Sequence, residues 1–382
     1  MAQQERVRPF FESPFLFQPS RNWLRLLWEN KHVGRVYLPR AMFVTFCTLS
    51  TIPLRAYESL RYGGAVKRTA IQHPPIFIIG HWRTGTTHLH NLLCHDNNFG
   101  RVSMWQTFAP GLCLMGERLL KNPFNKIQQR LHPTREIDNI PLSMDNPEEE
   151  DLAIANMSPY SYLHMYSFPR RASYYFERYV TNFDALPESI RKEWAEYYLI
   201  ILRKATLKAE GKRLVIKNCS DSARLKALLE LFPDAKFIHT YRNPYDVFRS
   251  TQHLYKTVLA RAQVQEIDTK EIETWVLRFY TQLMQKFFAD KSLIPKGNLV
   301  EIKYEDLVKE PLVQLRRIYA TLGLPGFAEA EPAFSAYLDS IKGYQKNVYK
   351  KLEDSLIENV NRNWSFALEA LGYKRLEPSS GK

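Results

Sequence analysis

The stretch Gly80-His81-Trp82-Arg83-Thr84-Gly85-Thr86-Thr87 gathers two glycines, a guanidinium and three hydroxyls in eight residues. A short loop that opens a helix offers unpaired N–H groups and the positive end of the helix dipole to an anion, so this is a phosphate cradle with Arg83 as its charge. Lys217 closes a second apolar run. Arg242-Asn243-Pro244-Tyr245-Asp246-Val247-Phe248-Arg249-Ser250 then sets a guanidinium eight residues ahead of a hydroxyl. That pair suits a second phosphate, gripped by a charge-assisted fork and a neutral donor from the next helix. Asp145-Asn146-Pro147-Glu148-Glu149-Glu150-Asp151 supplies five acids in seven residues.

These groups need elements that hold them at one edge. Ile76 to Ile79, bounded by Pro-Pro and Gly80, has the composition of a central parallel strand, and a helix from about Gly85 to Cys94 follows it. Arg213 to Lys217 is a second strand, with a helix near Ser222 to Phe232 behind it. Lys236 to Tyr241 is a third and Leu299 to Lys303 a fourth, the latter running into a helix that starts at Tyr304-Glu305-Asp306-Leu307. Ligands of open α/β sheets bind at the carboxyl ends of such strands, where Lys217 and Arg242 fall. The fold class expected is therefore α/β, a P-loop-type, mainly parallel sheet flanked by helices. Phe99 to Pro141 is read as helices and loops covering the site, and 152 to 212 as mostly helical, ending at Gly211.

The acidic run has two compatible readings. Asn146 suits an N-cap, Pro147 the first helical position and Glu149 the third, which makes a capping box; alternatively one carboxylate faces a substrate. His88 and His90, two apart on a helix, point to different sides, which argues against a shared metal. His88 lies one turn from the loop.

The 382 residues allow one large α/β domain with insertions, or two domains. The net charge of +13 is spread without a basic run or a nucleic-acid motif, so an anionic nucleotide or an anionic membrane surface accounts for it better than nucleic acid does. Residues 1–72 carry 11 Lys/Arg against 4 Asp/Glu, more than half of the excess, and form a basic, helical N-terminal region ahead of the α/β domain at 73–382. Trp23, Leu24, Leu26, Leu27 and Trp28 interleave there with Arg21, Arg25 and Lys31, and Ala41 to Leu54 run uncharged. Fourteen residues are too few to span a bilayer, which takes about 20. The region is thus a shallow anchor on a membrane surface or a helical pair packed on the domain. Cys47, Cys94, Cys113 and Cys219 show no disulfide spacing and no secretory peptide opens the chain, which points to the cytoplasm, with the inner face of a membrane as the anchor's partner.

The cradle resembles the 5′-phosphosulfate loop of the sulfotransferase family, Pro-(Lys/Arg)-(Ser/Thr)-Gly-Thr-(Thr/Ser), with Trp82 in place of the proline. Arg242, Asn243-Pro244, Asp246 and Ser250 resemble the family's 3′-phosphate motif, and the two come in family order. The resemblance covers about residues 74–375. It implies a co-substrate, 3′-phosphoadenosine 5′-phosphosulfate (PAPS), held by Arg83, Thr84, Gly85, Thr86, Thr87, Arg242 and Ser250, with no metal. It also implies transfer of a sulfuryl group to a hydroxyl, or less readily an amine, of a small-molecule, lipid, sterol or carbohydrate acceptor. Arg83 and Lys217 would stabilise charge. Cytosolic members follow the lysine with Thr-His, the His being the base; here Asn218 and Cys219 stand there, so the chain resembles the bacterial and Golgi-type branches, where a glutamate is the common base. Glu149 is the first choice, followed by Glu148, Glu150 and His88. Ile341 to Lys346 is the counterpart of the family's lid. Two other readings are a nucleotide kinase or triphosphatase, against which stands Thr86 where the P-loop lysine belongs, and a non-catalytic, membrane-associated nucleotide-binding protein.

Overall fold

The computed structural model describes residues 12–343 and 352–378. Five strands, β1 (Ile76–Ile79), β2 (Phe99–Arg101), β3 (Arg213–Lys217), β4 (Lys236–Tyr241) and β5 (Leu299–Lys303), form one sheet in the order β2-β3-β1-β4-β5, parallel throughout. Ile78 lies between Lys217 and Ile238 in register. Because β3 and β4 flank β1, the winding reverses there, and a crevice opens at the carboxyl ends of these three strands.

Alternation along β1 divides the interior. Ile76 and Ile78 point into a cluster with Leu89 and Leu92 of α4 (below) and with Leu315 and Ile318, while Phe77 and Ile79 face the larger core with Phe237, Phe279 and Phe287. Each fully buried Ile or Phe contributes about 1.5–3 kcal/mol. Helices on both faces are what a strand of continuous apolar residues requires.

Among the described residues three α-helices precede the sheet: α1 (Ser20–Asn30), α2 (Leu38–Ser50) and α3 (Ile52–Arg68). The inner faces of α1 and α2 are part of the main core, through Trp23, Leu26, Ala41 and Val44, while α3 buries Glu58 and Val66. Arg40 is buried and donates to the carbonyls of Gln263 (2.7 Å) and Ala260 (3.0 Å), and buried Glu58 pairs with Lys204. Their outer faces expose apolar side chains. The remaining helices that place the site are α4 (Thr86–Leu93), α5 (Lys121–Leu131), α6 (Glu150–Ala155), α7 (Glu188–Lys208), α8 (Pro244–Ala262), α9 (Lys270–Asp290), α10 (Tyr304–Lys309) and α11 (Pro311–Leu322).

The expectation of helices and loops alone from Phe99 to Pro141 is corrected by β2. Three residues with a central glycine give no periodic signal. The strand exists because a Cβ on Gly100 would come within 2.5 Å of the Ala209 side chain after α7, so only glycine lets this edge close on β3. Of the lid counterpart, Tyr344 to Lys346 lie outside the described residues.

Candidate active site

The loop after β1 is tight by construction. Gly80 has φ 137°, and a Cβ there would meet the Thr240 carbonyl oxygen at 2.3 Å; Gly85 has φ 93°, and a Cβ would strike the Tyr304 ring at the same distance. Arg83 also takes a positive φ, 72°. The path delivers Thr86 and Thr87 to the first turn of α4, whose leading N–H groups lack an intrahelical acceptor. They open on a cavity of about 840 Å³ lined by Arg83, Thr86, Thr87, His88, Arg242 and Tyr304. Ile341 and Lys342, the described start of the lid counterpart, border it.

The two phosphate motifs touch across 159 residues. Arg242 Nη1 donates to the Arg83 carbonyl (3.4 Å), and Arg83 Nε donates to Ser250 Oγ (2.7 Å). Arg83 is further turned toward the Ile137 carbonyl (3.1 Å) and Asp138 (3.7 Å), so its guanidinium lies on the Ser250 side of the loop. Arg242 stacks 4.5 Å over Tyr304 and pairs with Asp246 at 3.6 Å. Asn243 caps α8, its Oδ1 accepting from the Tyr245 N–H (3.1 Å). His88 faces the large cavity, whereas His90 is buried against the Val215 carbonyl with its pKa driven down to about 3 by burial.

The acidic run divides by contact. Asp145 pairs with Lys121 of α5 (2.8 Å), Glu148 with Arg135 (3.1 Å) and Glu149 with Lys217, Oε1 to Nζ 2.7 Å. Glu148 is a second, looser partner of Lys217 at 3.9 Å. Burial alone would lower the Lys217 pKa; the carboxylates of Glu149 and Glu148 more than offset it and hold the ammonium above its ordinary value. Cys219 Sγ lies 3.7 Å from both Glu149 Oε1 and Thr86 Oγ1, so the Lys217–Glu149 pair sits one side chain away from the first turn of α4.

The capping box does not form. Pro147 bridges Ser103 and the Glu148 N–H donates to the Val102 carbonyl (3.0 Å), which keeps the backbone extended beyond β2 and delays α6 to Glu150. Asn146 instead donates to the Pro141 carbonyl (2.7 Å), and Glu149, at the N-cap position, makes no cap bond with its side chain.

Glu148 and Glu149 line a second cavity, of about 230 Å³, walled by Phe15, Trp82, Met104, Phe108, Tyr162 and Tyr166 among others. The larger cavity thus presents two guanidiniums and the α4 hydroxyls and the smaller a mainly apolar chamber; Thr86 lines the first and Glu149 the second, with Cys219 between them and buried Lys217 bonded to Glu149.

A family model described as the sulfotransferase family matches residues 74–329. The chain belongs to the sulfotransferase family. It is 32% identical over 365 residues to omega-hydroxy-beta-dihydromenaquinone-9 sulfotransferase Stf3 of Mycobacterium bovis, covering 94% of this chain and 91% of that protein, and equally similar to Stf3 of Mycobacterium tuberculosis. Its fold is that of sulfotransferase STF9 from Mycobacterium avium (TM-score 0.67, 17% identity, 95% of this chain and 98% of that one). Sulfotransferase STF1 from Mycobacterium tuberculosis H37Rv also shares it (TM-score 0.61, 20% identity, 83% and 86%).

In this sulfotransferase the residues after Glu149 form a scaffold. Glu150 accepts from Asn218 Nδ2 (2.8 Å), and Asp151 accepts from Ser220 Oγ (2.7 Å) and Arg224 Nη2 (3.0 Å), all buried. Burial, then Asp221, push the Glu150 carboxyl well above its ordinary range, favouring the protonated form. These bonds tie α6 to the residues that follow β3, so Glu149 and Lys217 are fixed from behind by one network. Tyr304, Asp138, Arg135 and Trp82 belong to the site without having been singled out as site residues. A ring that packs against a glycine two hundred residues away leaves no local mark, whereas Trp82, a large aromatic in a phosphate loop, is a legible signal of a built-in wall.

Proposed function

We propose that this sulfotransferase moves the sulfuryl group of PAPS to a hydroxyl on an apolar, lipid-like acceptor, with Glu149 as general base. The observation that carries the reading is the Lys217–Glu149 pair at the junction of the two cavities. The large cavity suits a 3′,5′-bisphosphorylated nucleotide: two guanidiniums, hydroxyls and a helix N-terminus converge there, and Gly85 leaves no Cβ over the Tyr304 ring. PAPS supplies an activated S–O bond whose bridging oxygen leaves with the phosphate. Glu149 takes the acceptor proton as the oxygen bonds to sulfur, and Lys217 and the first-turn N–H groups of α4 hold negative charge on the sulfuryl and departing phosphate oxygens. The Lys217 ammonium has three N–H donors, so it can hold that charge while remaining beside Glu149.

The acceptor class rests on the predominantly aromatic and aliphatic walls of the smaller cavity, and on Stf3, which by its name acts on a hydroxylated menaquinone. Transfer of labelled sulfate from PAPS across a panel of hydroxylated polyprenyl compounds, sterols, phenols and sugars tests this. The polyprenyl alcohols are expected to be the best acceptors, and preference for sugars would overturn the assignment.

Two variants separate the subsites. Arg242→Ala removes a charge-assisted contact worth about 1.5–3 kcal/mol, so 3′,5′-bisphosphate binding should weaken about tenfold or more in calorimetric titration while 5′-AMP binding hardly changes. Equal losses would refute a 3′-phosphate site. Trp82→Leu strips part of the apolar wall, and the acceptor KM is expected to rise about tenfold with the nucleotide Kd unaltered. A raised nucleotide Kd with unchanged acceptor KM would place Trp82 in the loop's geometry alone.

A further inference from the structure

α2 and α3 expose an apolar stripe that their own packing does not use. Leu38, Met42, Phe46, Leu49 and Ile52 recur at steps of three or four residues, and Leu60 follows two turns on, so one face is traced through the Ser50–Ile52 junction. Continuity holds because Thr51 keeps φ −88° and ψ 0°, with the Thr51 N–H bonded to Cys47 and that of Arg55 to Thr51. α2 is about 20 Å long and α3 about 26 Å at 1.5 Å per residue, with Pro53 in the first turn of α3. Met42 is 70% exposed, Phe46 66% and Leu60 88%.

Within residues 31–72 the exposed charged side chains are all cations, and exposed Glu266 lies beside Gly34 at the near end. Arg35 is exposed ahead of it, and Arg61, Lys67 and Arg68 at its far end. The only acids between residues 20 and 72 are neutralised in place: Glu29 is held by Arg25 at 2.6 Å, and Glu58 is buried on Lys204. A second copy of the chain docking by this face would bring cations against cations, as a two-fold interface pairs a patch with itself. An anionic lipid surface accepts both features at once, apolar side chains at the acyl boundary and cations among the headgroups. Among the described residues no helix is long and apolar enough to cross a membrane, so the stripe lies in the surface plane.

We infer that the outer face of α2 and α3 docks this protein on anionic lipid bilayers. The inference stands apart from the sulfuryl-transfer reading, since it concerns no residue of either cavity. It fits an apolar acceptor all the same, because Phe15, just ahead of α1, lines the smaller cavity.

The test is co-sedimentation of the full chain with sucrose-loaded vesicles of phosphatidylcholine, alone or mixed with phosphatidylglycerol. The protein should pellet with the mixed vesicles and much less with the neutral ones. Met42→Ser/Phe46→Ser/Leu60→Ser should lower partition about tenfold or more through lost apolar burial. Arg61→Glu/Lys67→Glu/Arg68→Glu should do at least as much, each cation near the surface being worth about fivefold, and should abolish the preference for anionic lipid. All six positions are exposed, so thermal melting of both variants is expected to match the parent. Unchanged partition in both variants overturns the inference, as does equal pelleting on neutral and anionic vesicles. A parent dimer in analytical ultracentrifugation that the apolar variant turns into a monomer, with vesicle partition unaltered, would assign the face to a second copy instead.

Discussion

Replacing Glu149 by glutamine is expected to reduce turnover at least a hundredfold while leaving a folded protein that binds the nucleotide almost normally. The carboxylate sits 2.7 Å from Lys217 at the wall of the apolar cavity, and its side chain makes no cap bond to α6. Helix capping therefore has no share in the loss. A positioned base is worth about 10²–10⁴ in rate, whereas the amide keeps the shape of the side chain and an oxygen that can still accept from Lys217. Single-turnover transfer with PAPS and an accepted alcohol, beside a calorimetric Kd for 3′,5′-bisphosphate, separates chemistry from binding. Near-normal turnover would remove Glu149 from the reaction. Glu148, which lines the same cavity, is then the next carboxylate to replace; His88 borders the larger cavity and Glu150 is enclosed by Asn218 and Tyr198.

Lys217→Met should be the more damaging change, because it strikes transition-state charge and the fold together. Loss of one preorganised donor to a developing oxyanion costs about 10²–10³ in kcat. Lys217 is 2% exposed and its partner Glu149 16%, so methionine also leaves a nearly buried carboxylate without its cation, a situation that costs about 3–5 kcal/mol in buried pairs. The two effects come apart in the double variant Lys217→Met/Glu149→Gln. There the unpaired charge is gone, so chemical denaturation should show most of the stability restored while turnover stays lost. A double variant no more stable than Lys217→Met would mean that the lysine supports the fold through its stem and not through the pair. The pH dependence has a matching sign: with the Lys217 pKa raised, the pair's contribution is complete below the unfolded lysine value and fades only as pH climbs through the higher folded one. The parent's stability advantage over Lys217→Met should accordingly hold through neutral pH and shrink in strong alkali, where the lysine loses its charge, and in strong acid, where the unpaired carboxylate of the variant is neutralised.

By itself the sequence determined the backbone of the two segments proposed to hold phosphate. Ile76 to Thr87 is a buried strand, two glycines and a helix start, and Arg242 to Ser250 is a strand end, an Asn-Pro cap and a helix; each is complete within a dozen residues. Local signals of that kind depend on backbone geometry near the residue, which is why four strands were legible. What only the tertiary structure decided are relations between distant segments. Five acids in seven residues look alike until Lys121, Arg135, Lys217 and the buried Arg224 each claim one or more of them, and Lys217 lies 68 residues beyond Glu149. The capping box failed for the same reason: the pull of Lys217 and the extended pairing of Pro147 beside β2 are long-range, and they outweigh a cap worth about 1 kcal/mol. The strand β2 was hidden because its edge is set by the space beside Ala209 and not by its own residues. The apolar cavity is assembled from Phe15, Trp82, Met104, Tyr162 and Val258, aromatic and aliphatic residues that any core would contain until the chain folds and leaves a space between them.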